Sequence, residues 1–320
     1  MIRIALFTLI SVLAALPAAA QEWPSKPVKF IVQFPPGGSV DPLARLLGAK
    51  LGDALKQQFI VENRTGAGGS IGTAVVAKAP PDGYSWVFVF DTHAVNPALI
   101  PNMTFDTVKD LVPVMLVGTA PMGIVTNPAK PYKSFADVVA AAKAKPDAVN
   151  FGTVGNGSLG QLAMILVQQA SGTKMTHVPY KGGGPMMADA MGGQIELGVA
   201  SVAALAANVR GGKLRAIATT GEQRSHTMPD VPTLQEQGIK GFSALAWWGI
   251  LGTAGTPKPI VDRFHAELVK ALNLPDVRKT LTETLGMDLR VSSQEAMQQF
   301  VAAEMARWGK VVRENGVKPD

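Results

Sequence analysis

Apolar, strand-like runs alternate with helical patterns along almost the whole chain, and this alternation limits the folds that the sequence can adopt. The first run, residues 28–34, is rich in β-branched and aromatic side chains, as in a buried parallel strand. Leu43, Leu47, Leu51 and Leu55 then recur at four-residue spacing, which predicts one apolar face of a helix. Such alternation indicates a doubly wound α/β architecture with parallel sheets. The further strand-like runs are residues 59–62, 86–90, 124–126, 149–152, 214–219 and 248–251.

The first 20 residues have the pattern of a secretory signal peptide. They contain one charge, Arg3, then an apolar run at residues 4–16 and small residues up to Ala20. We expect cleavage after Ala20 and a periplasmic protein. No later stretch approaches the roughly 20 apolar residues of a membrane-spanning helix. Because the chain has no cysteine, we expect neither disulfides nor a lipid-anchored cysteine.

The length of the chain indicates how many domains it has, and its charge indicates which class of partner it binds. About 300 residues remain after the predicted signal peptide, which suggests two domains. We place the chain crossings near residues 124–128 and 246–248, so that residues 21–124 and 248–320 form the first domain and residues 125–247 the second. The net charge is +6 with scattered basic residues and 6% aromatic content. This composition argues against nucleic-acid binding and favours anionic small molecules.

A glycine loop between the first strand and the first helix has the features of an anion-binding site. Gly37 and Gly38 follow two prolines that end the strand, and a ligand can approach the backbone of glycine closely. Asp41 before Pro42 predicts an N-cap with proline at the first helical position. Helix N-termini attract carboxylates and phosphates. The four-residue spacing of Asp41 and Arg45 predicts an ion pair along the helix.

Two further glycine loops lead into helices. Gly155, Gly157 and Gly160 match the dinucleotide-binding pattern, but no acidic residue follows about 20 residues later to bind a ribose. Ser158 with Gln161 instead predicts a capping box. The third loop, residues 182–184, follows Tyr180. An enzyme that uses a dinucleotide is therefore a minor alternative.

A hydrolase is the other alternative. Gly68, Ser70 and Gly72 match the G-x-S-x-G pattern of α/β-hydrolases, yet a polar stretch separates Ser70 from the preceding strand. None of the four histidines lies in a triad signature. No spacing of histidine, cysteine or acidic residues indicates a metal site, and we expect no cofactor.

The loops taken in order resemble the tripartite tricarboxylate transporter receptors, also called Bug proteins. The motifs are residues 34–45, 61–72, 81–84, 178–182 and 229–233. The resemblance covers essentially the whole mature chain and implies a two-domain periplasmic binding protein of the type II kind. Each domain would be a mostly parallel sheet flanked by helices, with a ligand cleft between the domains. Such a monomer closes around a small carboxylate and delivers it to the membrane subunits of a transporter.

The resemblance also indicates which residues bind the ligand and by what means. In this family backbone amides typically hold the carboxylate, and here these would be amides of the first and second glycine loops. Residues 197–201 contain no acid, where relatives that bind amino acids tend to have an aspartate, so we expect a ligand without an amino group. The candidate ligand-binding residues are Phe34, Pro36, Gly37, Gly38, Ser39, Asp41, Thr92, His93, Thr153, Gly155, Asn156, Gly157, Ser158 and Tyr180.

Overall fold

A computed structural model describes residues 23–319 of the chain as a mixed α/β protein. The predicted signal peptide lies outside the described residues. The strands are β1 (Val28–Val32), β2 (Phe59–Asn63), β3 (Ser85–Val89), β4 (Leu111–Thr126), β5 (Asn150–Thr153), β6 (Thr176–Pro179), β7 (Leu197–Ser201), β8 (Arg215–Thr219), β9 (Leu245–Thr253) and β10 (Asp288–Leu289). The α-helices are α1 (Val40–Leu55), α2 (Ser70–Ala77), α3 (Thr92–Leu99), α4 (Phe135–Ala144), α5 (Leu159–Ser171), α6 (Gly183–Met191), α7 (Val202–Arg210), α8 (Lys258–Asn273), α9 (Pro275–Lys279) and α10 (Gln294–Glu314). Among these residues, no helix has the length and apolar character needed to cross a bilayer.

The strands form two sheets that share β4. The first sheet has the order β2-β1-β3-β9-β4, in which β1 pairs in parallel with β2 and β3, and β9 is antiparallel to both neighbours. In the second sheet, β5 is parallel to β6 and β7, while β4 is antiparallel to β7 and β8. Each sheet thus has mostly strands of one direction, with one long strand reversed, and the predicted α/β fold is confirmed.

Strand β4 passes from the first sheet into the second. Residues Leu111 to Pro121 pair with β9, and residues Met122 to Thr126 pair with β7 and β8. We use "first lobe" for the elements on the first sheet, including α8 to α10, and "second lobe" for those on the second. This change of partners lies close to the crossing expected at residues 124–128, and β9 begins close to the return at residues 246–248. The domain division at these two places stays a proposal.

The length of β4 was not predicted from the sequence. The pattern indicated a strand only at residues 124–126, because Pro113, Gly118 and Pro121 interrupt the β-branched run. In the structure the pairing of β4 with β9 shifts register between Pro113 and Met115 and between Leu116 and Gly118. Such irregularities accommodate proline and glycine within a sheet. The interruptions therefore bend the strand without ending it.

An aromatic cluster joins distant parts of the chain in the first lobe. Phe264 of α8 stacks on Trp86 of β3 with ring centroids 4.3 Å apart, and it also contacts Phe30 and Trp23. All four side chains are buried. Because α8 follows the second lobe in sequence, these contacts attach the returning chain to the first sheet.

We expect Phe264→Ala to destabilise the protein by about 3–5 kcal/mol, because truncation of a buried aromatic side chain leaves a cavity. Unfolding by urea, followed by tryptophan fluorescence, measures this change. Val75→Ala is the control, since Val75 of α2 is 43% exposed and its truncation should cost less than about 0.5 kcal/mol. Equal effects of the two substitutions would contradict this account of the core.

Candidate functional site

The loops at the carboxyl ends of the parallel strands enclose two cavities where the lobes meet. The larger one, which we call the cleft cavity, has a volume of about 430 Å³. The smaller one, the inner cavity, has about 30 Å³. The cleft cavity is lined by Phe34, Pro35, Thr65, Gly66, Ala67, Gly68, Gly69 and Thr92 of the first lobe and by Val154, Gly155, Asn156, Ser158, Tyr180, Lys181 and Gly182 of the second.

The first glycine loop lies against the second lobe. Gly37 has φ of +98°, a backbone conformation that favours glycine. A Cβ there would make ordinary van der Waals contact with the second lobe, 3.4 Å from the Cα of Gly184. A Cβ on Gly38 would meet nothing within 4 Å. Within residues 23–319, no hydrogen bond engages the N–H groups of Gly37 and Gly38. This loop therefore keeps donors available for an anion at the start of α1.

Ser39, and not Asp41, is the N-cap of α1, because the helix begins at Val40. The prediction of an Asp41 cap was wrong by two residues. The hydroxyl of Ser39 does not cap the helix but accepts a hydrogen bond from Nε1 of Trp248 at 3.1 Å, and it lies 3.5 Å from the hydroxyl of Ser201 in the second lobe. Ser39 and Ser201 both line the inner cavity.

Asp41 forms the predicted pair with Arg45 in a polar cluster beside the loop. Its carboxylate accepts two hydrogen bonds from Arg45, at 2.9 and 3.0 Å, and one from Asn63 at 2.9 Å. Asn63 also donates to the carbonyl of Phe34 at 2.9 Å. Although burial raises the pKa of Asp41, the bonds from Arg45 and Asn63 outweigh it and hold the pKa below its usual value. The cluster joins the end of β1 to α1 and keeps the carboxylate paired within the protein.

The second glycine loop is held by side chains at its base. Thr153 Oγ1 lies 2.7 Å from Nε2 of His177 and accepts a hydrogen bond from the hydroxyl of Ser158 at 3.0 Å. Gln161 accepts from the N–H of Gly157 at 2.7 Å. The predicted capping box of Ser158 and Gln161 is therefore wrong, because Ser158 makes no side-chain cap. The N–H of Gly157, which we expected to bind the anion, is already engaged.

Tyr180 follows β6 and lines the cleft cavity. Its hydroxyl donates to Asp189 at 2.7 Å, and burial with this carboxylate raises the pKa of Tyr180 to about 12. The hydroxyl therefore stays protonated. Lys181, which is exposed at the rim, was not predicted, and it is the one charged residue that lines either cavity within the described chain.

Thr92 and His93, both predicted to bind the ligand, lie in the first turn of α3 but point to different places. Thr92 lines the cleft cavity, but His93 does not. Its ring packs edge-on against Trp247, with centroids 6.4 Å apart, inside the first lobe. Burial lowers the pKa of His93 to about 4, so the imidazole is neutral. The adjacent Asp91 is 1% exposed, and burial raises its pKa to about 8.

The structure thus separates the predicted residues into two groups. Those that line a cavity are Phe34, Gly38, Ser39, Thr92, Gly155, Asn156, Ser158 and Tyr180. Those that lie outside both are Pro36, Gly37, Asp41, His93, Thr153 and Gly157. Sequence analysis missed residues 65–69 as part of the cavity because their glycines were interpreted as a possible nucleophile elbow. Gly66, Gly68 and Gly69 have positive φ angles. The glycines at these positions were therefore the signal in the sequence for a tight loop beside the cavity.

The geometry around Ser70 does not resemble a hydrolase site. Ser70 begins α2, and no hydrogen bond joins it to a histidine among residues 23–319. His226 and His265 instead lie 2.8 Å from the carbonyls of Thr282 and Ser292. No group of three or more potential metal-ligating side chains occurs in the described chain.

Comparison with known proteins identifies the family. The model for the tripartite tricarboxylate transporter family receptor matches residues 43–317. The chain belongs to this family. The receptor is 36% identical to BugT of Bordetella pertussis over 306 residues, which cover 95% of this chain and 94% of BugT. It is 37% identical over 315 residues to a protein of Agrobacterium vitis, with 98% and 91% covered. The predicted family is confirmed, and its members are periplasmic solute receptors.

Solved structures of relatives share the fold. The periplasmic binding protein BugD matches with a TM-score of 0.87 at 32% identity, covering 92% of this chain and 99% of BugD. Rpa4515 of R. palustris with adipate matches with a TM-score of 0.88 at 30% identity, covering 93% of this chain and 99% of Rpa4515. MatC of Rhodopseudomonas palustris with bound malate matches with a TM-score of 0.85 at 31% identity, covering 91% of this chain and 100% of MatC. The predicted fold of a periplasmic binding protein is therefore confirmed.

Asp91 should make the stability of the receptor depend on pH. Because its pKa is about 8 in the folded protein and 3.8 ordinarily, the folded state binds a proton that the unfolded state releases, and stability falls as pH rises from about 4 to about 8. We expect Asp91→Asn to remove this loss and to be more stable than the parent at pH 8.5, by at most about 6 kcal/mol.

Urea unfolding at pH 5.5 and pH 8.5 measures the effect. Asp53→Asn, at an exposed position of α1, is the control and should leave the pH dependence unchanged. A parent protein that is equally stable at both pH values, with Asp91→Asn no different, would contradict the assignment.

Proposed function

We propose that the receptor captures a small organic carboxylate between its lobes and delivers it to the membrane subunits of a tripartite tricarboxylate-type transporter. One observation carries this proposal: both lobes line the cleft cavity, and the adjacent glycine loop has unengaged N–H groups at the start of a 16-residue helix. Such a helix N-terminus favours a negative charge. A ligand that contacts both lobes is bound more tightly by the closed form, so that binding favours closure.

The chemistry of the lining residues supports an anionic ligand. No aspartate or glutamate lines the cleft cavity or the inner cavity in the described chain. Lys181 at the rim adds a positive charge. Two relatives were solved with small dicarboxylates, one with adipate and one with malate. We infer that the same class of ligand occupies the cavity of this receptor.

The ligand is proposed to lack an amino group. A buried ammonium needs a counter-charge, and the nearest candidate in sequence, Glu196, pairs with Lys130 at 2.6 Å instead. Asp189 accepts the hydroxyl of Tyr180. Neither acid lines a cavity. An unsubstituted aliphatic or aromatic acid avoids this cost.

A panel of dicarboxylates, aromatic acids and amino acids tests the proposal by thermal shift and calorimetry. At least one carboxylate should stabilise the receptor by about 2.7 kcal/mol at a hundredfold excess over its Kd. If no carboxylate shifts the melting temperature, the proposed ligand class is wrong. Native mass spectrometry of gently purified protein provides an independent test, since a bound acid would be retained.

Backbone amides, and not a cationic side chain, are proposed to bind the carboxylate. Gly38→Val should weaken binding at least about tenfold, because its side chain enters open space beside the amides without a strained φ angle. Arg64→Ala and Lys181→Ala should each change affinity less than about threefold, since exposed charges are screened. Calorimetry with the best acid of the panel compares the three variants, and the reverse ranking would overturn the amide model.

Succinate and aspartate test the proposed absence of an amino group at nearly equal ligand size. Succinate should bind at least about tenfold more tightly, which corresponds to about 1.4 kcal/mol, because the ammonium of aspartate would be buried without an acid. Calorimetry measures both affinities. Tighter binding of aspartate would contradict this model, and Glu196→Gln would then show whether Glu196 leaves Lys130 to pair with the ligand.

The cellular setting follows from the family and the N-terminal sequence. Secretion to the periplasm with cleavage after Ala20 is proposed from the signal pattern, and a monomer from the family resemblance. N-terminal sequencing of protein from a periplasmic extract tests the cleavage site. Native mass of the purified receptor tests the monomer.

A further inference from the structure

A third cavity lies in the first lobe, away from the cleft. We call it the α10 groove, and it is lined among others by His93, Thr107, Leu111, Leu251, Val301 and Met305. Its volume is about 540 Å³, within the range of pockets that bind small molecules. It shares no lining residue with the cleft cavity or the inner cavity. The groove is therefore a separate site.

The walls of the α10 groove are mostly apolar. Leu111 and Leu251 come from β4 and β9, and Val301 and Met305 come from one face of α10. None of the residues that line it in the described chain is an aspartate, glutamate, lysine or arginine, and burial keeps the imidazole of His93 neutral by lowering its pKa to about 4. A charged ligand would lose its hydration here without finding a counter-charge.

Two buried polar atoms at the groove have no partner. Nε2 of His93 and Oγ1 of Thr107 make no hydrogen bond within residues 23–319, and the two residues are 2% and 9% exposed. Leaving a buried donor or acceptor unpaired destabilises the protein, so such atoms usually have a partner from protein, water or ligand. Both atoms are buried beneath the surface of the groove, so a ligand with one hydroxyl would pair with either atom only after that side chain turns toward the groove.

We propose that the α10 groove is a second ligand site, which binds an uncharged, largely apolar molecule with one hydrogen-bonding group, such as a phenol. The apolar walls provide the driving force, and the two unpaired atoms give a preference for a hydroxyl. The mouth is formed in part by Val108, which is 60% exposed, and by exposed Ala302 on α10.

The site also adjoins the cleft through α3. His93 lines the α10 groove, whereas Thr92, one residue earlier, lines the cleft cavity. Helix α10 also packs against α3. Occupation of the groove would therefore contact the helix whose first turn borders the carboxylate site. The proposal does not depend on this link or on the identity of the cleft ligand.

Phenol is the probe, titrated into the purified receptor and followed by ligand-observed NMR and calorimetry. We expect saturable binding that Ala302→Trp weakens at least about tenfold, because its indole blocks the mouth. Ala303→Trp is the matched control, since Ala303 is the next exposed alanine of α10 and does not line the groove. It should bind phenol like the parent. Circular dichroism verifies that both variants fold, and Ala302→Leu replaces Ala302→Trp if needed.

Two further measurements distinguish the groove from the cleft and test the role of the polar atoms. Benzoate at pH 7 should not displace phenol, and Gly38→Val should bind phenol within about twofold of the parent. His93→Phe should reduce the preference for phenol over toluene. Absence of saturable binding, equal effects of the two α10 tryptophan substitutions, or displacement by benzoate would overturn the proposal.

Discussion

The hydrogen bonding of β4 in two sheets at once is the constraint on which the rest of the structure depends. Residues Leu111 to Pro121 belong to the first sheet and residues Met122 to Thr126 to the second, so one continuous backbone fixes how the lobes are joined. In the first sheet β4 has the direction of β1 and β3, and in the second it opposes β5 and β7. The carboxyl ends of the parallel strands in both sheets therefore face each other, and ligands of open α/β sheets bind at such ends.

The position of the cleft follows from this strand arrangement. The conformation of the loops that line it follows from their local sequence. Each parallel strand must end before its helix begins, and the loops after β1, β5 and β6 contain glycines. These allow the two lobes to approach closely, as at Gly37 and Gly184. Long side chains there would cover the backbone N–H groups. The same glycines thus permit contact between the lobes and leave amides exposed to a ligand.

Sequence patterns predicted the α/β fold, the family and the positions of the glycine loops, because strand periodicity and glycine turns are local signals. They could not predict which amides remain unengaged. Gly157 and Gly38 look equivalent in sequence, yet Gln161 occupies the N–H of Gly157 alone. The length of β4 was hidden because proline and glycine normally end a strand. The buried carboxyl of Asp91 gave no signal, since an acid after a strand ordinarily lies at the surface.

The acids around the cleft are already paired within the protein. Asp41 lies in the first turn of α1, where its charge would otherwise compete with a ligand for the positive end of the helix. Arg45 and Asn63 reduce that competition, because both donate hydrogen bonds to the carboxylate of Asp41. Asp189 likewise bonds the hydroxyl of Tyr180. With these charges paired, they oppose an anion at the N-terminus of α1 less than free carboxylates would, as the proposed binding by amides without a buried arginine requires.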